Sequence, residues 1–318
     1  VSNFSSSSPH LFFTKNDPLD KRLGEIFKPR TPEQLLINNS FAIIGYPDDD
    51  GIKMNGGRIG AAEGPKKIRE FLYKMTPPIL IENENQFSDI GDLQTSIEFS
   101  KRHMAAKHMA RSLYEKQIRV ISLGGGHDYG YADAAAFVEE YQNSFSKPVV
   151  LNFDAHLDVR PTTNGFNSGT PFFRLLNDYP NAFDFVEIGI QPQCNSIHHK
   201  IWARDKGAHL FELTDIQKRG GLLSLFENNF FKGLNSDTPV FISFDIDGLT
   251  STEAGGCSQS WVTGLQTQDF LNFFHELKTK ANLRGLGIYE VSPQLDVDNR
   301  TSKTAALLAF NFLFQDQL

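Results

Sequence analysis

The chain has 318 residues but only two cysteines, Cys194 and Cys257. So few, so far apart, exclude a disulfide-stapled scaffold and fit a reducing compartment, so a cytoplasmic protein is expected. No apolar run approaches the roughly 20 residues needed to cross a bilayer as a helix. Positive charge is also short: 31 Lys and Arg stand against 38 Asp and Glu, for a net charge of −7. A diffuse negative balance argues against a nucleic-acid partner or an anionic membrane surface. The serine-rich stretch Val1 to Pro9 lacks an apolar core and is not read as a signal peptide. No Pro- or Gly-rich linker and no repeat divides the chain, so the expectation is a partly disordered N-terminal arm over 1–32 and one domain over 33–318.

Phenylalanine, in contrast, is abundant at 28 residues, so aromatic packing should fill much of the core. Short, nearly continuous apolar runs predict strands at Phe41–Tyr46, Val120–Gly124, Val149–Asp154, Phe185–Ile190, Ala208–Glu212, Val240–Asp245 and Leu286–Val291. Helical spacing predicts helices at Pro65–Met75, Ile97–Gln117, Gly130–Tyr141, Thr267–Lys280 and Thr304–Phe312. Strands alternating with helices imply an α/β fold with a parallel sheet covered on both faces.

Polar motifs follow four of these strands. They are Gly124-Gly125-Gly126-His127-Asp128, Asp154-Ala155-His156-Leu157-Asp158, Asp245-Ile246-Asp247 and Tyr289-Glu290. Ligands of open α/β sheets bind beyond the carboxyl ends of the strands, so four motifs at that edge would converge on one pocket. If the extended chain continues past its strand, Asp154, His156 and Asp158 point to one side, as do Asp245 and Asp247. Taken singly, an Asp-x-Asp after a strand is more often a helix cap or solvated turn, and a histidine after glycines is usually a loop residue. Three ionisable groups directly after an apolar strand are costly to bury unpaired. Four carboxylates in one pocket repel each other unless a cation intervenes. Two divalent ions would neutralise them and could hold and acidify a shared water. Mixed carboxylate and imidazole ligands suit Mn²⁺, with Zn²⁺, Fe²⁺ or Co²⁺ also open. Of the remaining histidines, His103 and His108 read as surface residues, His198 and His199 as solvated or capping residues at a helix start, and His209 and His275 as structural.

The order of these motifs, from about Gly45 onward, resembles the superfamily of arginases, agmatinases and formimidoylglutamases. That resemblance implies a three-layer α/β/α fold with a central, mostly parallel sheet, two Mn²⁺ per subunit, and a homo-oligomer, trimer or hexamer. It places His127, Asp154, Asp158 and Asp245 on one metal and Asp154, His156, Asp245 and Asp247 on the other, with Asp154 and Asp245 bridging. The loop from Asn55 to Pro65, Asp158-Val159-Arg160, Asn167-Ser168-Gly169-Thr170-Pro171, Gly189-Ile190-Gln191 and Glu290-Val291-Ser292-Pro293 are most similar to the formimidoylglutamase branch. Arginases carry a histidine where Asn167 and Ser168 stand, and Gly255 to Trp261 departs from their usual Ala-Pro-Gly pattern.

The expected reaction is hydrolysis of the amidine bond of N-formimidoyl-L-glutamate to L-glutamate and formamide. Asp158 is expected to move the proton and Glu290 to pair with the amidinium. Arg160 would bind a substrate carboxylate through two hydrogen bonds. Arg58, Asn167, Ser168 and Gln191 are further candidate substrate contacts. Agmatinase, arginase or another guanidino-acid hydrolase would share every metal ligand and differ in the loops; a catalytically silent metal-binding relative and a zinc deacetylase-like enzyme are more distant alternatives.

Overall fold

The computed structural model describes residues 3–35 and 40–317. Ten strands form one sheet: β1 (Phe4–Ser5), β2 (Lys28–Pro29), β3 (Phe41–Gly45), β4 (Phe87–Leu93), β5 (Arg119–Leu123), β6 (Val149–Phe153), β7 (Asp184–Ile190), β8 (His209–Glu212), β9 (Pro239–Asp245) and β10 (Asn282–Tyr289). Their order is β1-β4-β3-β5-β10-β9-β6-β7-β8, with β2 also pairing with β4. Every pairing is parallel except β1 with β4. All seven strands expected from the apolar runs are present.

Side chains alternate between the two faces, as a pleated strand requires. On one face Ile43, Ile121, Leu151, Phe153 and Phe244 pack under helices Gly64–Leu72, Thr267–Lys280 and Arg300–Leu313. On the other, Ala42, Ile44, Val120, Val150 and Phe241 pack under helices Phe99–Tyr114, Tyr129–Tyr141 and Pro171–Asp178. The result is three layers, α/β/α. Phenylalanines carry much of the first interface: Phe153 stacks on Phe244 at 5.5 Å and meets Phe270 edge-on at 5.0 Å, and Phe226 stacks on Phe273 at 4.9 Å. Edge-to-face and offset pairs of this kind add to plain area burial.

β4 was not expected, because its sequence is Phe-Ser-Asp-Ile-Gly-Asp-Leu. The two aspartates break the apolar pattern, yet Asp89 is fully buried. Arg69, itself fully buried on helix Gly64–Leu72, pairs with Asp89 (Nε to Oδ2, 2.9 Å) and Asp92 (Nη1 to Oδ1, 2.7 Å). The partner that makes β4 possible is thus supplied by a different element.

The N-terminal segment also differs from a loose arm. β1 pairs with β4, and Leu11, Leu23, Ile26 and Phe27 are buried in the core. Apolar burial at four positions, not composition, decides its order; Val1 and Ser2 lie outside the described residues. Among the described residues no helix is long and apolar enough to cross a membrane.

Candidate metal centre

The registers of the four central strands place their ends side by side. Leu123 of β5 pairs with Ile288 of β10, Tyr289 of β10 with Asp245 of β9, and Phe244 of β9 with Phe153 of β6. The residues that follow each strand therefore emerge together. Between them β10 and β9 separate β5 from β6, which makes this edge a switch point of the sheet.

The glycine run after β5 is a matter of space. A Cβ at Gly125 would strike the Asp48 carbonyl, and one at Gly124 would strike the Tyr289 ring. Only glycine lets this loop pass so close and deliver His127 to the strand ends. There the His127 ring stacks on Tyr289 at 4.9 Å, and its Nε2 lies 2.9 Å from Ser243 Oγ.

His127 Nδ1 then faces three carboxylate oxygens: Asp154 Oδ2 at 3.1 Å, Asp158 Oδ2 at 3.0 Å and Asp245 Oδ2 at 3.2 Å. It makes no hydrogen bond to any of them. On the other side of Asp154, His156 Nδ1 lies 3.3 Å from Asp154 Oδ1 and 3.2 Å from Asp247 Oδ2. Two donor groups result, His127-Asp154-Asp158-Asp245 and Asp154-His156-Asp247, and they share Asp154. Donors about 2.1 Å from one ion and at right angles lie about 3.0 Å apart, which is the spacing found here. A ring nitrogen buried without a hydrogen bond amid three carboxylates, with Asp247 Oδ1 also buried and unpartnered, fits ions held between these atoms. The cluster is suited to a binuclear site.

The electrostatics agree. Burial, then the charges of Asp247 and Asp154, push the Asp245 carboxyl well above its usual range. Burial and Asp154 raise Asp158, and Asp247 is pushed up to about 6 by burial in spite of His156. Burial disfavours a charged His127, but the surrounding carboxylates outweigh it and drive its pKa well up. Only Asp154, between two imidazoles, is held below the usual carboxylate range in spite of its burial. The protein's own charges leave the cluster short of cations.

One expectation about chain path is corrected. The chain does not stay extended after β6: Asp158 has φ +46°, and its carboxylate reaches the cluster through that turn. Asp245 falls in the first donor group, and its Oδ1 accepts the Asp247 backbone N–H at 2.9 Å. Glu290 also sits in the left-handed region, at φ +66°, with its Oε1 accepting the His127 backbone N–H at 3.1 Å. Left-handed backbone is costly for residues other than glycine and gathers at functional sites.

A cavity of about 260 Å³ lies over the cluster, lined by His156, Asp158, Asp245, Asp247, Glu290, Arg160, Ser168 and Trp261 among others. His127 and Asp154 have no exposed side-chain surface, whereas His156 is 20% and Asp158 12% exposed, so a ligand approaches from the side of the latter two. Asn55 connects the rim: its Oδ1 accepts from Arg160 Nη1 at 2.9 Å, and its Nδ2 donates to Ser168 Oγ at 3.1 Å.

Three candidate contacts have other work. Arg58 donates to the backbone carbonyls of Cys257 and Ser258 and so braces the facing loop. Gln191 is buried and bound to Thr263 and Gln193. Asn167 Oδ1 closes a turn by accepting the Gly169 N–H at 3.0 Å. His103 is not on the surface: it is buried, with Nε2 2.6 Å from Asp128 Oδ2. Cys257 is buried, whereas Cys194 lines the cavity. Asn55, Gln259 and Trp261 were not singled out as contacts; a tryptophan in a glycine-bearing loop, one of two in the chain, was the available signal.

The model of the arginase family matches residues 39–315. The chain belongs to the arginase family. A relative named formimidoylglutamase, from Streptococcus gordonii, is 31% identical over 279 residues, covering 85% of this chain and 83% of the relative. The solved structure of Trypanosoma cruzi formiminoglutamase with Mn²⁺ is similar at TM-score 0.79 and 27% identity, covering 93% of this chain and 98% of that one. Formimidoylglutamase of Bacillus subtilis shares the fold at TM-score 0.81 and 23% identity, covering 96% and 95%. The arginase-family motifs coincide with the strand ends that build the cavity.

Proposed function

We propose that this chain is a formimidoylglutamase, hydrolysing N-formimidoyl-L-glutamate to L-glutamate and formamide in histidine breakdown. The observation that carries the hydrolase reading is the two-sided setting of Asp154, whose separate oxygens face two imidazole–carboxylate groups. The names of the relatives support the substrate.

In this reading His127, Asp154, Asp158 and Asp245 hold one manganese ion, and Asp154, His156 and Asp247, with Asp245, hold the other. Bound there, the two ions supply Lewis-acid polarisation and a water acidified toward neutrality; zinc, iron or cobalt would also suit the donors. Asp158, at the exposed side of the cluster, takes the proton of the attacking water and passes it to the departing amine. Glu290, fixed by the His127 N–H, pairs with the cationic amidinium and aims its carbon at the water. Arg160, held by Asn55, takes a substrate carboxylate, and Ser168 hydrogen-bonds the bound molecule. A cytoplasmic homo-oligomer is part of the same reading, supported by the two free cysteines and the family resemblance.

The test is turnover by the manganese-loaded protein, with arginine and agmatine assayed beside it for urea. Formamide release from N-formimidoyl-L-glutamate is expected, falling by roughly 10³-fold or more in Asp154→Asn. Urea release with no formamide would keep the metal chemistry and overturn the substrate.

A further inference from the structure

A second cavity, of about 210 Å³, opens beside the first and shares His156, Asp158, Arg160 and Cys194 with it. Ser196 and His199, from the start of helix Ile197–Asp205, complete its wall. Two basic side chains thus border one space next to the cluster.

Neither has an acidic partner among the described residues. Arg160 gives one hydrogen bond, to the neutral Asn55 side chain. Arg69, Arg102, Arg111 and Arg119 are all paired with carboxylates. The Arg160 stem is also seated: its backbone N–H bonds the Gly169 carbonyl at 2.8 Å, and a Cβ at Gly169 would lie 2.8 Å from Arg160 Cδ. A side chain at 169 would displace the guanidinium, so glycine keeps its place open.

His199 is half-buried, and the helix cap does not use its ring, since Ser196 Oγ accepts the His199 backbone N–H at 3.1 Å. Burial and then the neighbouring Arg160 charge lower its pKa. It lines the cavity, where its ring has an N–H to donate. The start of the helix adds a favourable potential for an anion.

We propose that Arg160 and His199 together form a carboxylate subsite, and that His199 is a specificity-determining residue that reads the end of the substrate remote from the amidine. This rests on the reading of the main cavity as the site of an amidine bearing carboxylates. A carboxylate between the two side chains takes charge-assisted hydrogen bonds from the guanidinium and one from the imidazole. An amidine with no carboxylate gains nothing from either.

The experiment is calorimetry of glutarate with the manganese-loaded protein, beside kinetics on N-formimidoyl-L-glutamate and on an uncharged N-alkylformamidine. Glutarate affinity is expected to fall about tenfold in His199→Ala and in Arg160→Ala, with partial recovery in His199→Gln, which keeps a donor. In His199→Ala, KM for the dicarboxylic substrate should rise in step, and by more than KM for the neutral amidine. Unchanged glutarate affinity in His199→Ala, or no glutarate binding by the wild type, would overturn the subsite. Glutarate binding that depends on both residues, without turnover of N-formimidoyl-L-glutamate, would uphold the subsite and reject the substrate.

Discussion

Two regions of this molecule bury carboxylates, and they are neutralised differently. At the β3–β4 side, Asp89 meets the Arg69 guanidinium and accepts further hydrogen bonds from Tyr73 Oη, Ser7 Oγ and the Gly91 N–H. At the ends of β5, β6, β9 and β10, four aspartates and Glu290 share two imidazoles. The first cluster is closed: charge and hydrogen bonds come from the chain itself. The second is open, with a buried ring nitrogen left unbonded. Buried charge that lacks an internal counter-ion calls for an external one, and that contrast separates a structural network from a metal centre.

The largest effect expected from breaking the contrast is at Arg69. Arg69→Met leaves Asp89 uncompensated in the interior and should destabilise the fold by about 3–5 kcal/mol in urea denaturation. A loss below about 1 kcal/mol would contradict the assignment of Arg69 as the counter-ion of that cluster.

A third buried carboxylate sharpens the comparison. Asp133 accepts from Tyr46 Oη and Tyr289 Oη, both at 2.6 Å, and pairs with no cation among the described residues. Burial pushes its carboxyl up to about 6. Below that pH its answer is a proton. Because the folded value lies above the unfolded one, this proton's stabilisation is complete below pH about 4 and is lost as pH rises through about 6, about 3 kcal/mol in all. The wild type should therefore lose stability relative to Asp133→Asn between those pH values. A pH-independent difference in denaturation midpoints between the two would reject the shift.

The smallest effect is expected at Ser243, which contacts the outer nitrogen of His127. Ser243→Ala should weaken manganese binding by about 10–100-fold through loss of ring orientation, with fold stability little changed. Equal affinity in the two proteins would show that stacking on Tyr289 alone positions the ring.

The difference between these clusters also explains what could be read in the sequence. His127, Asp154, His156, Asp158, Asp245, Asp247 and Glu290 lie at or shortly after the ends of apolar strands, so strand order brings them to one edge of the sheet. β4 was illegible because Asp89 and Asp92 look like solvated residues until Arg69 arrives from another element. Arg58 and Gln191 lie in the right loops, but backbone carbonyls and Thr263 claim their polar atoms, which no motif records. The burial of His103 depends in the same way on Asp128, 25 positions away in the chain. The turn at Asp158 was hidden because spacing reports which residues alternate only while the chain remains extended.

The most direct test of the account is to count metal. Calorimetric titration of metal-stripped protein with Mn²⁺, checked by elemental analysis, should give two ions per chain in the wild type, and fewer in Asp154→Asn because both donor groups share that residue. Two ions retained in Asp154→Asn, or no manganese bound by the wild type at all, would contradict a binuclear centre built on Asp154.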